Sequence, residues 1–206
     1  RGVVYAVNTG IKEVSAPFIC RMDADDIAAP ERLQWQVAFL RNNPQFDAVA
    51  GKAKYASLDA HSEGFKRYMD WQNDLIEEDE IALNRFIELP FPNPTLCWRA
   101  KLTSNGQLFR EGNFPEDYEF WLRAWANGAR IAKIPRKVIT WMDNDKRLTR
   151  NDSRYSEKAF HQIKSGYIAH WLKQHNPYYP EIVVWGAGRK SRKYAAFLTE
   201  HGIRIT

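Results

Sequence analysis

Cysteine is scarce in this chain, with two residues in 206, and both Cys20 and Cys97 sit inside apolar stretches. Lone cysteines of that kind pack as small hydrophobes, so no disulfide framework is implied and a reducing, cytosolic setting is expected. Long hydrophobic runs are missing as well. No stretch of about eighteen apolar residues occurs, so no membrane-spanning helix is read from the sequence. Low-complexity tracts and short-period repeats are absent, which argues against disorder and repeat architectures. Dense basic clusters are also lacking. The formal charge is +5 and the sequence pI about 9.2, but the Lys and Arg residues are scattered, so no nucleic-acid partner is read. The mild basicity suits anionic small molecules or an acidic membrane surface. The chain opens on Arg1 rather than Met, without a charged and apolar leader, and closes on GIRIT partway into strand-like sequence. It is expected to be a fragment of a longer protein.

What is present is globular. Hydrophobic residues make up 44% of the chain, enough for a proper core, and the length fits one main domain with part of a second. GVVYAV reads as a strand or as the tail of a helix, and IKEVSA as a short helical stretch. APFICRM has the length and apolarity of a central strand covered on both faces. Pro30 fits the start of a helix whose inner stripe would be Leu33, Val37 and Leu40. FDAVAGKAKYAS reads as a strand, residues 74–88 as a helix with Ile76, Leu83 and Ile87 on one side, and TLCW as a short strand after the rigid loop FPNP. The strongest helical pattern runs from Glu116 to Asn127, with Tyr118, Trp121, Leu122 and Trp125 in one stripe and Gly128 as its stop. ARIAKIP and KVITWM read as two strands, NDKRLTRND as a polar loop, Glu157 to Gln174 as a helix and HNPYYP as a linker. Strands alternating with helices predict an α/β fold with a mainly parallel sheet.

One segment does not suit a buried strand. Directly after FIC come the residues RMDADD, with Asp23, Asp25 and Asp26 at the expected carboxyl end of the strand, where open α/β sheets bind ligands. Asp23 and Asp25 are one residue apart, which in extended backbone puts both side chains on the same side, able to share a divalent cation. Their oxygen chemistry suits Mg²⁺ or Mn²⁺. A purely structural reading has the cluster solvating a turn and capping the next helix, which accounts for one aspartate and not three. A calcium loop does not fit, because Ile27 and Ala28 stand where that pattern needs a ligand and a glycine.

The run NTGIKEVSAPFICRMDADDIAAPERLQWQ resembles the central motif of family 2 glycosyltransferases of the GT-A fold, whose DXD element holds a metal and the diphosphate of a sugar nucleotide. The resemblance continues through FPNPTLCWR, FPEDYEFWLRAWANG, KVITW and RLTRNDSRY, in the family's order and spacing from about Gly2 to Tyr155. It implies a GT-A fold, a Rossmann-like sheet flanked by helices, and a metal-dependent inverting sugar transfer from a nucleotide-diphosphate donor, UDP-linked for preference, to a carbohydrate or lipid-linked acceptor. It also implies work on cell-surface polysaccharide at the cytoplasmic face of a bacterial membrane, as a peripheral protein.

By the same resemblance Asp25 is the metal ligand, with Asp23 on the metal or the ribose, and Asp26 either supports them from behind or faces the acceptor. Asp117 of the ED pair is the base that takes the acceptor proton, and Glu116 orients it or grips the acceptor. Acidic residues in a first helical turn also satisfy free N–H groups and the helix dipole, so position alone leaves a structural role open. Asn8, Arg147 and Arg150 are expected at the donor, the last two in a basic loop with Lys146 that is either a phosphate clamp or simply solvated. Trp121 and Trp125 have core spacing, whereas Trp98, Trp141 and Asn93 are candidates to approach the acceptor. Several positions depart from the family pattern. Val7 stands where many relatives have arginine, Met142 and Asn144 where arginine and histidine are common, and Asn93 where histidine is frequent.

The tail EIVVWGAGRKSRKYAAFLTEHGIRI has a strand, a GAG turn and a helix, with Ser191 in place of the third glycine of a dinucleotide fingerprint. The expected domains are therefore residues 1–155 as the transferase domain lacking its first nucleotide-binding strands, 156–180 as a helical linker and 181–206 as the start of a Rossmann-like module. The competing functional class is a nucleotide or dinucleotide-binding module without transferase chemistry.

Overall fold

The computed structural model describes residues 2–57, 63–104, 106–144, 148–186 and 188–206. The chain divides into two compact units. One comprises Arg1–Phe109 with Gly128–Arg147, the other Arg110–Asn127 with Leu148–Thr206. These do not follow the boundaries expected at residues 155 and 180. The reason is local: the helix that opens at Glu116 packs on the long helix after Tyr155, with the Tyr118 and Phe160 rings 5.4 Å apart, and so joins the later segment.

The first unit begins with α1 (Gly2–Glu13), so GVVYAV is helical. Then come β1 (Phe18–Cys20), β2 (Ile27–Ala28), α2 (Arg32–Asn42), β3 (Ala48–Ser57), α3 (Glu63–Asp74), α4 (Glu78–Asn84), β4 (Cys97–Arg99), α5 (Lys101–Ser104) and β5 (Ile131–Asp143). The α/β expectation holds, but the sheet is mixed. Its order is β1-β4-β3-β5-β2, with β3–β5 parallel and the other pairings antiparallel. Among the described residues β1 is an edge strand and not a central one, only partly buried.

Two predicted strands prove to be one. Along the β3–β5 ladder Gly51 faces Ile134 while Lys52 faces Lys137, so Pro135 and Arg136 bulge out of a continuous β5. A proline has no N–H for the ladder, and a bulge is where a sheet tolerates it. Opposite the bulge, a Cβ on Gly51 would lie 2.6 Å from the Val138 side chain, so the close approach of the strands needs glycine there. The helix expected over residues 74–88 is only the shorter α4, and α3, which the sequence reading lacks, precedes it and ends at the same irregularity. At the register shift the Ala53 N–H donates to Asn73 Oδ1 at 2.9 Å, and Asn73 Nδ2 donates to the Ala53 carbonyl at 2.8 Å. Asn73 thereby pins the end of α3, and a new helix starts where Glu80 accepts from the Glu77 amide. Ile81 is the buried residue of α4, whereas Leu83 and Ile87 are exposed.

The inner stripe of α2 also differs. Leu33 is 59% exposed, and Arg32, Gln36 and Leu40 point inward. The inward polar groups are satisfied: Arg32 donates to Gln36 and to the carbonyls of Arg21 and Pro94, each of the latter at 2.7 Å, and Gln36 donates to the carbonyls of Val49 and Thr95. Buried polar groups persist only with such partners. Lys133 of β5 is held likewise by the carbonyls of Gln72 and Pro90. Burial, with Lys52 nearby, draws its pKa down to about 7.

The second unit contains α6 (Glu116–Ala126), α7 (Leu148–Asn151), α8 (Glu157–His175), β6 (Glu181–Ile182), α9 (Arg189–Thr199) and β7 (Arg204–Ile205). Tyr118, Trp121 and Leu122 are buried as the stripe predicts, and Gly128, with φ +84, ends that helical segment of the chain. Ser156 caps α8 by accepting from the Ala159 amide. β6 and β7 pair in parallel across α9, giving a β-α-β unit where the sequence predicts a strand, turn and helix. No described helix is long and apolar enough to cross a membrane.

Candidate functional site

In the first unit the residues RMDADD leave β1 and turn back toward β2, with the Asp26 amide donating to the Asp23 carbonyl at 3.2 Å. The turn sorts its three carboxylates. Asp26 is 5% exposed, and its Oδ1 accepts from the Met142 amide at 3.0 Å, so it ties the turn to β5. That position fits the supporting role, one of the two expected for Asp26, and not the acceptor-facing one. Asp25 is exposed, and its Oδ2 accepts from Asn144 Nδ2 at 2.9 Å. The Asp23 side chain is 33% exposed, with Arg21 Nε 3.8 Å from Oδ1. Two carboxylates thus remain accessible at the strand end, and the structure brings Asn144 to one of them.

A divalent cation fits this donor set. Asp23 and Asp25 offer hard oxygens, as Mg²⁺ and Mn²⁺ prefer. Among the described residues no three or more His, Cys, Asp or Glu side chains cluster into a complete cage. Mg²⁺ sites of the type completed by substrate phosphates and water take only one or two carboxylates from the protein.

The other first-unit candidates are used structurally. Asn8 Nδ2 donates to the Phe109 carbonyl at 2.9 Å, and Asn8 Oδ1 accepts from the Phe109 amide at 2.9 Å, so its amide brackets that backbone and is not presented to a donor. Trp98 is 1% exposed within β4, between β1 and β3, and a ring so enclosed cannot stack on an acceptor. Asn93 is buried in the single 3₁₀ turn Asn93–Thr95, its carbonyl accepting from the Leu96 amide. Trp141 is buried against Tyr55 and Phe65.

In the second unit Pro115 precedes α6 and the ED pair fills its first turn. Glu116 is buried, and its Oε2 accepts from the Tyr155 hydroxyl at 2.6 Å. Burial, then the charges of Asp117 and Glu116, push the Tyr155 pKa up, which keeps the phenol protonated as a donor. Glu119, one turn along, is buried beneath Arg123 (2.9 and 3.1 Å), the Tyr167 hydroxyl (2.8 Å) and Arg110 (3.5 Å). Asp117 is only half-buried, and its Oδ1 accepts from the Tyr118 amide at 2.8 Å. Arg150 lies exposed on α7, while Arg147 and Lys146 lie outside the described residues. Neither the Tyr155–Glu116 bond nor the Asn144–Asp25 bond is visible as sequence spacing. The only prior sign was that Asn144 departs from a family pattern.

Comparison with known proteins gives the family and the fold. The family described as "Glycosyltransferase like family 2" matches residues 1–162. The amylovoran biosynthesis glycosyltransferase AmsE of Erwinia amylovora is 25% identical over 134 residues, 65% of this chain and 48% of that protein. An uncharacterized glycosyltransferase of Haemophilus influenzae is 24% identical over 181 residues, 84% of this chain and 54% of that protein. The chain thus spans about half the length of these curated relatives. Among solved structures, S. aureus TarS 1-349 in complex with UDP-GlcNAc superposes with a TM-score of 0.58 at 17% identity, covering 94% of this chain and 50% of that one. The mannosyltransferase PcManGT from Pyrobaculum calidifontis, in complex with GDP-Man and Mn2+, gives 0.51 at 15% identity, covering 98% and 50%. At such identities the likeness is one of fold, and the fold is GT-A.

Proposed function

The chain belongs to glycosyltransferase-like family 2, and from that membership we propose that it transfers a sugar, with inversion, from a nucleoside-diphosphate donor to an acceptor hydroxyl in cell-surface polysaccharide assembly. The observation that carries the proposal is the sorting of carboxylates. Asp26, Glu116 and Glu119 are buried on protein donors, whereas Asp23, Asp25 and Asp117 keep solvent-accessible surface. Carboxylates buried on protein donors hold shape, and accessible ones are available to ligands and protons.

Asp25, with Asp23, would hold a divalent cation, and Asn144 Nδ2 donates to Asp25. When bound, such a cation neutralises the diphosphate leaving group. Asp117 takes the proton of the attacking hydroxyl, the role of a general base. Glu116 is fixed in place by Tyr155 and steadies the turn that carries Asp117. Arg150 and Arg147 add charge-assisted contacts to the donor phosphates. A UDP-sugar is the first donor to try and a GDP-sugar the second, with a carbohydrate or lipid-linked acceptor and peripheral work at the inner face of a membrane.

The test is nucleotide release by the full chain with Mn²⁺ and a panel of UDP- and GDP-sugars, in the presence of acceptor glycans. Turnover with one donor that is lost on chelation of the metal is the expected result. Binding of NAD without metal, and no binding of any nucleoside diphosphate, would replace this function with that of a non-catalytic dinucleotide module.

A further inference from the structure

Cys20 ends β1 and Cys97 opens β4, and the antiparallel register sets the two residues opposite each other. The ladder also fixes which kind of pair they form. On one side the Arg21 amide donates to the Leu96 carbonyl at 3.0 Å, and on the other the Ala100 amide donates to the Pro17 carbonyl at 2.9 Å. Hydrogen-bonded and non-hydrogen-bonded pairs alternate along an antiparallel ladder. With Arg21–Leu96 and Pro17–Ala100 hydrogen-bonded, Cys20–Cys97 falls at a non-hydrogen-bonded position. There Cα atoms stand about 4.5 Å apart with their side chains close together on one face, at the short end of the roughly 4.4–6.8 Å that a disulfide spans.

We propose that Cys20 and Cys97 form a dithiol modification site, which a small-molecule disulfide such as oxidised glutathione converts reversibly to a cross-strand disulfide. The two thiols differ in a way that assigns their roles. Cys20 is half-buried and Cys97 fully buried. A hydrogen bond from Cys97, opposed by burial and aided by the Arg32 guanidinium, holds the Cys20 thiol below its usual pKa, while the same bond and burial push Cys97 up. Thiolate character and access favour Cys20 as the attacking sulfur.

Its thiolate attacks one sulfur of the glutathione disulfide, forming a mixed disulfide and releasing one glutathione thiolate, which takes a proton from solvent. Cys97 then loses its proton, attacks the Cys20 sulfur and releases the second glutathione. Two protein thiols are oxidised and one glutathione disulfide is reduced to two thiols. The same exchange run backwards by reduced glutathione reopens the bridge. It would lie directly before Arg21, joining the strand that feeds the acidic turn to the strand after the 3₁₀ turn Asn93–Thr95.

The experiment is to equilibrate the native full chain with oxidised and reduced glutathione at varied ratios, block free thiols by alkylation and map peptides without reduction. The expected result is one cross-linked Cys20–Cys97 peptide pair, lighter by two hydrogens and abolished by excess reduced glutathione. Cys97→Ser is expected to stop at glutathione on Cys20. Wild type that keeps both thiols alkylatable at the most oxidising ratio, stops at glutathione on Cys20, or links only between molecules would overturn the proposal. The wild-type map decides even if the variant does not fold.

Discussion

The acidic turn at residues 21–26 and the first turns of α6 both gather three carboxylates, yet they are built in opposite ways. In the turn, one carboxylate is buried on a backbone amide and two stay accessible. At α6 two are buried, on two tyrosines and two arginines, and one is half-buried. Backbone donors suffice where the chain itself turns. At the start of α6 the two buried acids are met instead by side chains, from α6 itself, from α8, from the 3₁₀ turn Ser153–Tyr155 before it and from the segment just ahead of α6. The comparison teaches that acidic density in sequence does not separate chemistry from architecture, and that burial with named donors does.

Substitutions can break the comparison. The largest effect is expected from Asp117→Asn, which should lower kcat about 10²–10⁴-fold, the usual worth of a general base, with little change in melting temperature. Wild-type turnover by this variant would remove Asp117 from that role. Glu119→Ala should instead act on folding. It leaves the buried Arg123 without its carboxylate, which costs about 3–5 kcal/mol and is read by urea unfolding. Asp26→Ala strands the Met142 amide and should cost about 1–3 kcal/mol, again in stability. An Asp26→Ala protein of native stability would contradict the division drawn between Asp26 and its neighbours.

A pH-dependent effect sharpens the contrast from outside both clusters. Lys133 has a folded pKa of about 7 against the ordinary 10.5, so between those values the unfolded chain holds a proton that the folded chain has released. Stability from this group therefore rises with pH across that window, by up to about 1.4 kcal/mol per pH unit. Lys133→Met should flatten the rise in denaturant unfolding measured from pH 7 to 10. An unchanged slope would show that Lys133 is not its source.

Much of this was legible in the sequence, and the gaps have common causes. The α6 stripe of Tyr118, Trp121 and Leu122, the helix after Ser156 and the strand β3 follow from periodicity and stop signals, because apolar burial repeats with the element. The inner face of α2 did not. Arg32 and Gln36 are buried through carbonyls of Pro94 and Thr95, partners far away in the chain that no helical stripe reveals, so Leu33 took their place in the reading. The division of residues 63–84 into two helices depends on Asn73 bonding to a strand irregularity created by Pro135. At the candidate site, the acidic cluster at the end of β1 was legible as a sequence run, and the structure adds that Asp25 is exposed. Asn8 and Trp98 were misassigned because their partners, the Phe109 backbone and the sheet interior, become adjacent only on folding. Cys20 and Cys97 were read as lone residues for the same reason.

The central claim is that Asp25 serves a ligand while Asp26 serves the fold. It is tested most directly by calorimetric titration of Mn²⁺ with UDP, and separately with GDP, into the wild-type full chain and its Asp25→Asn variant. The expected result is metal-dependent nucleotide binding by wild type that weakens at least about tenfold in Asp25→Asn, the scale on which a group of the metal site acts, with the fold intact by circular dichroism. Equal metal-dependent affinity in the two proteins would contradict the account.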